Sequence, residues 1–346
     1  MIKNVLVTGN LGYIGTVLTK FLIEKNYNIN GYDNGFYESN LFGEIEAKPK
    51  IQIKKDIRDL KDEDLSNIDC VIHLAGLSND PLGEFNKSLT YEINLKGTIK
   101  LAKLSRTNGV KRFIYISSQS MYGISETAEE LDEDLSEKNP ITTYAKAKWE
   151  AEKDINEMSN SNFTVVSFRP STVFGWSPRL RCDIVFNNLV ASAYTEKKIV
   201  VFSDGSPWRP VIHIKDVCSA IHAGIVAPSN LVNNKSYNIG IKNGNYTVKE
   251  MAKVVKEIYP KTEVIFKNKT PDARTYKVSF KRILTELSDY YKPSWDLKSG
   301  AKELIENFDK FKFTKDDFHG TKTNRIQQLK YLQNQGYLSN EFRMIK

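Results

Sequence analysis

Ser118, Tyr144 and Lys148 are the residues whose types and spacing could do chemistry. Tyr144 and Lys148 stand four apart in Tyr-Ala-Lys-Ala-Lys, which in a helix puts them one turn apart on one face. A free phenol ionises near pH ~10, too high for a base at neutral pH. A neighbouring ammonium favours the phenolate and makes the tyrosine a usable acid/base. Ser118 follows the apolar run Phe113-Ile114-Tyr115-Ile116-Ser117, which reads as a buried parallel strand. Its hydroxyl then sits at a strand's carboxyl end, where ligands gather in open α/β sheets. A Tyr-x-x-x-Lys spacing also arises by chance, so the surrounding elements must carry the reading.

The amino terminus supplies them. Val5-Leu6-Val7 is a short strand, followed by Gly9-Asn10-Leu11-Gly12-Tyr13-Ile14-Gly15 and an apolar-periodic helix through Leu18, Phe21 and Leu22. Strand, glycine turn and helix are the setting of a dinucleotide fingerprint. The glycines let backbone approach a pyrophosphate, and the helix start offers it free N–H groups. Asp33, eighteen residues past Gly15, ends a second strand and is followed by Asn34. An acid there accepts from adenosine ribose hydroxyls and repels a 2′-phosphate, which selects NAD over NADP. Asp56-Ile57, after the strand Ile51–Lys54, is a candidate adenine contact.

With these motifs in hand, the chain resembles the extended short-chain dehydrogenase/reductases. The resemblance rests on the glycine turn, Asp56, His73-Leu74-Ala75-Gly76, Asn94, Ser118 and Tyr144-x-x-x-Lys148. Arg169-Pro170, Trp208-Arg209-Pro210-Val211-Ile212-His213 and Tyr237-Asn238-Ile239-Gly240 extend it to the nucleotide-sugar epimerase/dehydratase branch, over roughly residues 1 to 290. It implies NAD as cofactor, a nucleoside-diphosphate sugar as substrate, and a homodimer formed through the helices that hold Asn94 and Tyr144. It also implies that Asn94 helps order the Tyr–Lys pair, and that Leu74, Ala75, Gly76, Ser117 and Arg169 contact the cofactor. Ser78, Ser120 and Thr172 would line the sugar site, with Arg209 as a phosphate contact.

Composition agrees. The 346 residues are 40% apolar and 27% charged, ordinary for a soluble protein. The net charge of +8 comes from scattered doublets such as Lys54-Lys55 and Lys197-Lys198, alternating with acids. No basic block with interleaved aromatics appears, so nucleic acid is not a partner. The charge suits phosphorylated substrates instead. Cys70, Cys182 and Cys218 form no CxxC pattern, which fits a reducing compartment. No apolar stretch approaches the ~18 residues of a membrane span, and Met1 leads straight into the first strand. A cytoplasmic protein without membrane contact is expected. Cys218 and His222 lie four apart, but two ligands without a second pair make no metal site.

Strand and helix alternate through the first half, predicting a doubly wound parallel sheet (Rossmann) with a smaller α/β substrate-binding lobe. Strands are expected near 2–8, 28–32, 51–54, 70–75, 112–117 and 163–168, and helices near 13–26, 84–108 and 142–159. The dinucleotide domain covers 1–175 with 210–245 returning to it, and the lobe covers 176–209 and 246–346. Thr247-Val248-Lys249-Glu250 opens a helix as a capping box. Residues 124 to 139 are an acidic loop, either solvated or a lid over the sugar. Arg179, Arg181, Arg209 and Arg274 are candidates to fork around a diphosphate, with surface salt bridges as their plainer use. Beyond residue 300 the pattern is helical and packing-like, with no chemistry assigned.

The family's dehydratases place an Asp-Glu pair directly after the Ser/Thr, where this chain has Gln119 and Ser120, and the Cys of proton-exchange epimerases is absent as well. Many family members carry an Asn after the strand ending at Arg169, where this chain has Ser171-Thr172. The expected reaction is 4-epimerisation through a transient keto sugar, with Tyr144 as base, Lys148 holding it ionised and Ser118 bonding the reacting oxygen. A keto-sugar reductase would use the same three residues, and a non-catalytic dinucleotide sensor would typically lack the Tyr or Lys.

Overall fold

The computed structural model describes residues 2–124, 129–267 and 275–345. Among these, seven strands form one sheet: β1 (Asn4–Thr8), β2 (Asn28–Asp33), β3 (Ile51–Lys54), β4 (Cys70–His73), β5 (Arg112–Ile116), β6 (Thr164–Pro170) and β7 (Lys235–Ile239). All its pairs are parallel, in the order β7-β6-β5-β4-β1-β2-β3. The order reverses between β1 and β4, which opens a crevice beyond their carboxyl ends.

Successive side chains of a strand point to opposite faces, so a sheet covered on both sides reads as continuously apolar. Val5, Val7, Ile72, Ile114 and Ile116 pack on one face with α1 (Tyr13–Glu24) and with the later helix Ile214–Val226. Leu6, Val71, Phe113 and Tyr115 pack on the other with α2 (Gly97–Thr107) and α3 (Thr143–Asn156). A third apolar cluster builds the lobe around Phe186, Leu189 and Val190 of the helix Val185–Glu196. Thr172–Phe174, Trp208–His213 and Asn245–Thr247 share a small sheet of their own, so of the strands in the stretch 210–245 expected to return to the main sheet only Lys235–Ile239 joins it, and Lys198–Val201 pairs with Glu263–Phe266.

Three differences from the sequence reading matter for the site. The single helix expected over 84–108 is broken into pieces, with a π-helical turn at Tyr91–Lys96 that contains Asn94. The acidic loop is tied down at two points, while Glu129, Glu130, Asp134 and Glu137 stay exposed to solvent as the plainer reading expects: Glu130–Leu131 pairs with Lys277–Val278, and buried Glu133 accepts from the Asn238 N–H at 2.8 Å. Its Glu126 lies outside the described residues. Finally, α4 (Arg325–Asn334) and the following turn pack on the sheet, not in the lobe. Leu329, Leu332, Leu338 and Phe342 are buried together with Leu6, Tyr32 and Ile57.

Buried His73 ties β4 to its neighbours, Nδ1 on Thr8 Oγ1 at 2.7 Å and Nε2 on Thr98 Oγ1 at 2.8 Å. Burial, with the Lys148 charge adding to it, pulls its pKa down to about 3. The unfolded chain takes up this proton near pH ~6.5, so between the two values it binds more protons than the folded one. Stability present above that pH is therefore lost as pH falls, at up to about 1.4 kcal/mol per unit. Urea midpoints at pH 7 and pH 5 should differ less in His73→Gln than in the parent. An equal pH dependence in both would mean that His73 is not the group responsible.

Candidate active site

The switch-point crevice holds two adjoining cavities, of about 350 Å³ beside Tyr144 and about 150 Å³ beside the glycine turn. Tyr13, Ile14, Leu74, Gly76, Ser78 and Arg181 line both.

The smaller cavity is built from the turn between β1 and α1. Gly9 sits at φ +73° where a Cβ would fall 2.8 Å from Ala75 N, and a Cβ on Gly15 would fall 2.1 Å from Gly9 O. Only glycine permits so tight a turn. Gly12 caps α1 without a side-chain partner and no acid occupies the first turn, so the helix start is left open to an anion. Gly9, Gly12, Gly15, Asp33, Asn34, Asp56, Ile57 and Ala75 all line this cavity. Asp33 also braces the turn, accepting from Leu11 N at 3.1 Å and Gly35 N at 2.8 Å. The Asp56 carboxylate is bound by Arg58 Nε at 2.8 Å and Nη2 at 2.7 Å, so its side chain is already occupied. Asn10 and Leu11 do not line either cavity. The Asn10 amide donates to Gln52 Oε1 at 2.7 Å instead.

The larger cavity is lined by Ser117, Ser118, Ser120, Tyr144, Lys148, Thr172 and Arg209. Ser118 caps the turn Gln119–Tyr122, accepting from Ser120 N at 3.1 Å, with the Ser120 hydroxyl 2.8 Å away. Thr142 caps α3, placing Tyr144 in the first turn and Lys148 one turn on. Burial pushes the Tyr144 phenol up to about 12, and the hydrogen bond with Ser118 pulls the other way. Burial pulls Lys148 down to about 7, and its Nζ donates to Ile116 O at 2.7 Å. Lys148 is thus aimed at the backbone of β5, and burial works against ionisation of the phenol. The role expected of Lys148, holding Tyr144 ionised, therefore has to work against that burial.

Other residues stand elsewhere than the sequence places them. Arg169 lines neither cavity: Nη2 and Nε bind buried Glu152 at 2.6 and 3.0 Å, and Nη1 reaches Tyr122 Oη at 3.0 Å. Its guanidinium is thus spent on a buried ion pair rather than turned to the crevice. Arg179 also lines neither, donating to Tyr37 O and Glu38 O and so tying the lobe to the segment after β2. Arg181 stands between the cavities, paired with Asp183 at 2.8 Å and donating to Ser78 Oγ at 2.9 Å. Asn94 is buried and spends its amide on Leu77, accepting from N at 2.8 Å and donating to O at 2.9 Å. It positions the segment after β4, where Gly76 and Ser78 face the crevice. Arg274 lies outside the described residues. The described part of the acidic loop lines a surface groove beside Arg169 and Arg282, not the Tyr144 cavity.

Among the described residues no group of three or more His, Cys, Asp or Glu side chains could hold a metal, and no helix is long and apolar enough to cross a membrane. Sequence reasoning missed Asp80 and Tyr276 beside Tyr144, and Tyr37 and Arg325 beside the glycine turn. Asp80 was within reach of it, seven residues past His73 at the end of a strand, where ligands gather. Arg325 carries no local signal.

Residues 5–240 match the NAD dependent epimerase/dehydratase family. The chain belongs to that family. Among its relatives is the UDP-glucose 4-epimerase of Bacillus subtilis, 28% identical over 329 residues, covering 87% of this chain and 94% of the relative. The uncharacterised protein y4nG of Sinorhizobium fredii is 30% identical over 261 residues, 74% of this chain, which spans 60% of that protein's length. The UDP-glucuronic acid 4-epimerase of Bacillus cereus, solved with UDP-glucuronic acid and NAD, superposes with a TM-score of 0.74 at 25% identity, over 89% of this chain and 99% of that one. The family's cofactor is NAD, and the crevice fits it. The uncapped start of α1 would hold its diphosphate, and Asp33 at the end of β2 would accept from its ribose hydroxyls.

Proposed function

We propose that this protein is a cytoplasmic, homodimeric epimerase of a nucleoside-diphosphate sugar, acting at C4 through a transient keto sugar. The observation that carries this reading is a cavity that brings Ser118, Tyr144 and Lys148 together and in which neither position after Ser118 can act as an acid. Buried Gln119 donates its amide to Arg169 O at 3.0 Å, and the Ser120 hydroxyl is spent on Ser118. Among the described residues one carboxylate, Asp80, lines the cavity, and it accepts from Thr142 Oγ1 at 2.6 Å. The names of the two 4-epimerases above support the reaction class. The buried, unpaired cysteines support a reducing compartment.

NAD supplies an acceptor that takes a hydride from the sugar carbon and returns it, and its oxidised ring brings positive charge. Tyr144 Oη takes the hydroxyl proton as the carbon is oxidised and gives it back on reduction, so protons and electrons balance over the cycle. Ser118 Oγ steadies the reacting oxygen. Positive charge in the cavity favours the phenolate against the burial that opposes it, and Arg181 already acts in that sense.

The test is a panel of nucleotide sugars in deuterated water, with products read by NMR. Interconversion of two sugars differing at C4 is expected, with no deuterium on carbon and no stoichiometric change in reduced cofactor. A reductase would use the same Tyr144, Lys148 and Ser118 on a keto sugar. Loss of one NADH or NADPH per sugar would move the protein to that class, and loss of water from the sugar would make it a dehydratase.

A further inference from the structure

The carboxyl-terminal helix α4 reaches the dinucleotide crevice. Asn324 caps it by accepting from Gln327 N at 3.1 Å, Leu329 and Leu332 anchor it in the core, and Gln328 Nε2 donates to Phe36 O at 3.3 Å. Its first residue, Arg325, is 2% exposed and lines the smaller cavity. The guanidinium lies over the Tyr37 ring, 4.4 Å from its centroid, and Nη2 donates to Arg179 O at 2.7 Å. Nη1 is buried with no hydrogen-bond partner. A buried donor left unpaired on a charged group is costly, so a site that keeps one is built for something that arrives.

The surrounding charge says what arrives. Arg179, Arg181 and Arg325 stand together, with the carboxylates of Asp33, Glu38 and Asp183 near them. Asp183 is already forked by Arg181 at 2.8 and 3.1 Å. Of the described residues that line the cavity, three are cations, Lys55, Arg181 and Arg325, and two are anions, Asp33 and Asp56, and burial with the Arg181 charge pulls Arg325 down to about 10. The same cavity contains the open start of α1. We propose that Arg325 binds the diphosphate of NAD, so that the carboxyl-terminal segment closes the cofactor site from the side opposite the glycine turn. Of the parts of a dinucleotide, only the diphosphate is anionic, and a planar guanidinium suits it. The ion pair of Arg343 with Asp56 at 3.6 Å, and the Arg58 Nη2 bond to Phe342 O at 3.1 Å, fix the end of the segment beside the same cavity.

Calorimetric titration of NAD, NADP, ADP and adenosine into the parent, Arg325→Gln and Arg325→Lys tests this without turnover, so it is independent of which sugar is the substrate. Glutamine keeps a donor for Arg179 O while removing the charge. NAD and ADP should both bind about 10- to 100-fold more weakly to Arg325→Gln, with adenosine unchanged. Arg325→Lys should weaken ADP several-fold, because one ammonium cannot hold both Arg179 O and a phosphate. Thermal melts report whether each variant is folded, and if Arg325→Gln is not, the ADP-to-adenosine comparison in Arg325→Lys decides. Unchanged ADP affinity would overturn the proposal. So would an equal loss for adenosine, which would place the effect in the packing of Tyr37, or a loss confined to NADP, which would place it at a 2′-phosphate.

Discussion

Tyr144→Phe is expected to keep the fold and bind NAD while losing about 10²- to 10⁴-fold in turnover, the range of a general acid/base. The substitution removes one oxygen and leaves the ring. The backbone and Cβ of Tyr144 pack so closely on Gly83 that a Cβ there would lie 2.6 Å from that of Tyr144, and phenylalanine keeps this contact. Ser118 keeps Ser120 N and Oγ as partners, so its hydroxyl is not orphaned. The expected pattern is an unchanged melting curve, an unchanged NAD titration and a collapsed kcat. A rate within tenfold of the parent would mean that the proton goes elsewhere, with Asp80 the nearest carboxylate to examine.

The largest loss of stability is expected at Glu152. Its carboxylate is fully buried, forked by Arg169 Nε and Nη2 and bonded by Ser236 Oγ at 2.7 Å. Glu152→Leu would leave the Arg169 charge inside the protein with only Tyr122 Oη and Glu133 O to meet it. Removing one partner of a buried pair costs about 3–5 kcal/mol, a large share of a typical domain's stability. Urea denaturation measures it directly, and a loss under about 1 kcal/mol would mean that the pair is effectively solvated. The double change to Glu152→Leu with Arg169→Met should recover most of the loss, because it removes the stranded charge. The two variants also distinguish the roles of Arg169. A structural pair moves stability and leaves NAD affinity alone, whereas a cofactor contact would do the reverse.

The sequence alone determined what depends on near neighbours along the chain. Strand alternation, the glycine turn, the helix that follows it, Asp33 at the end of β2 and Ser118 after β5 are all local patterns, set by backbone sterics and periods of two or 3.6 residues. Tyr144 and Lys148 share a helix face for the same reason. Tertiary structure decided which charges are spent and which remain. Arg169, Arg179 and Arg181 look alike in the sequence, yet one is buried against Glu152, one holds carbonyls of the segment after β2, and one lines the crevice beside Asp183. Asp56 was taken by Arg58, and Lys148 by the carbonyl of Ile116. The upward push of burial on the Tyr144 phenol is likewise something no spacing reveals. The approach of Arg325 to a turn more than three hundred residues earlier had no local signal either. A long, charged side chain finds its partner through packing between distant elements, and that packing exists only once the whole chain has folded.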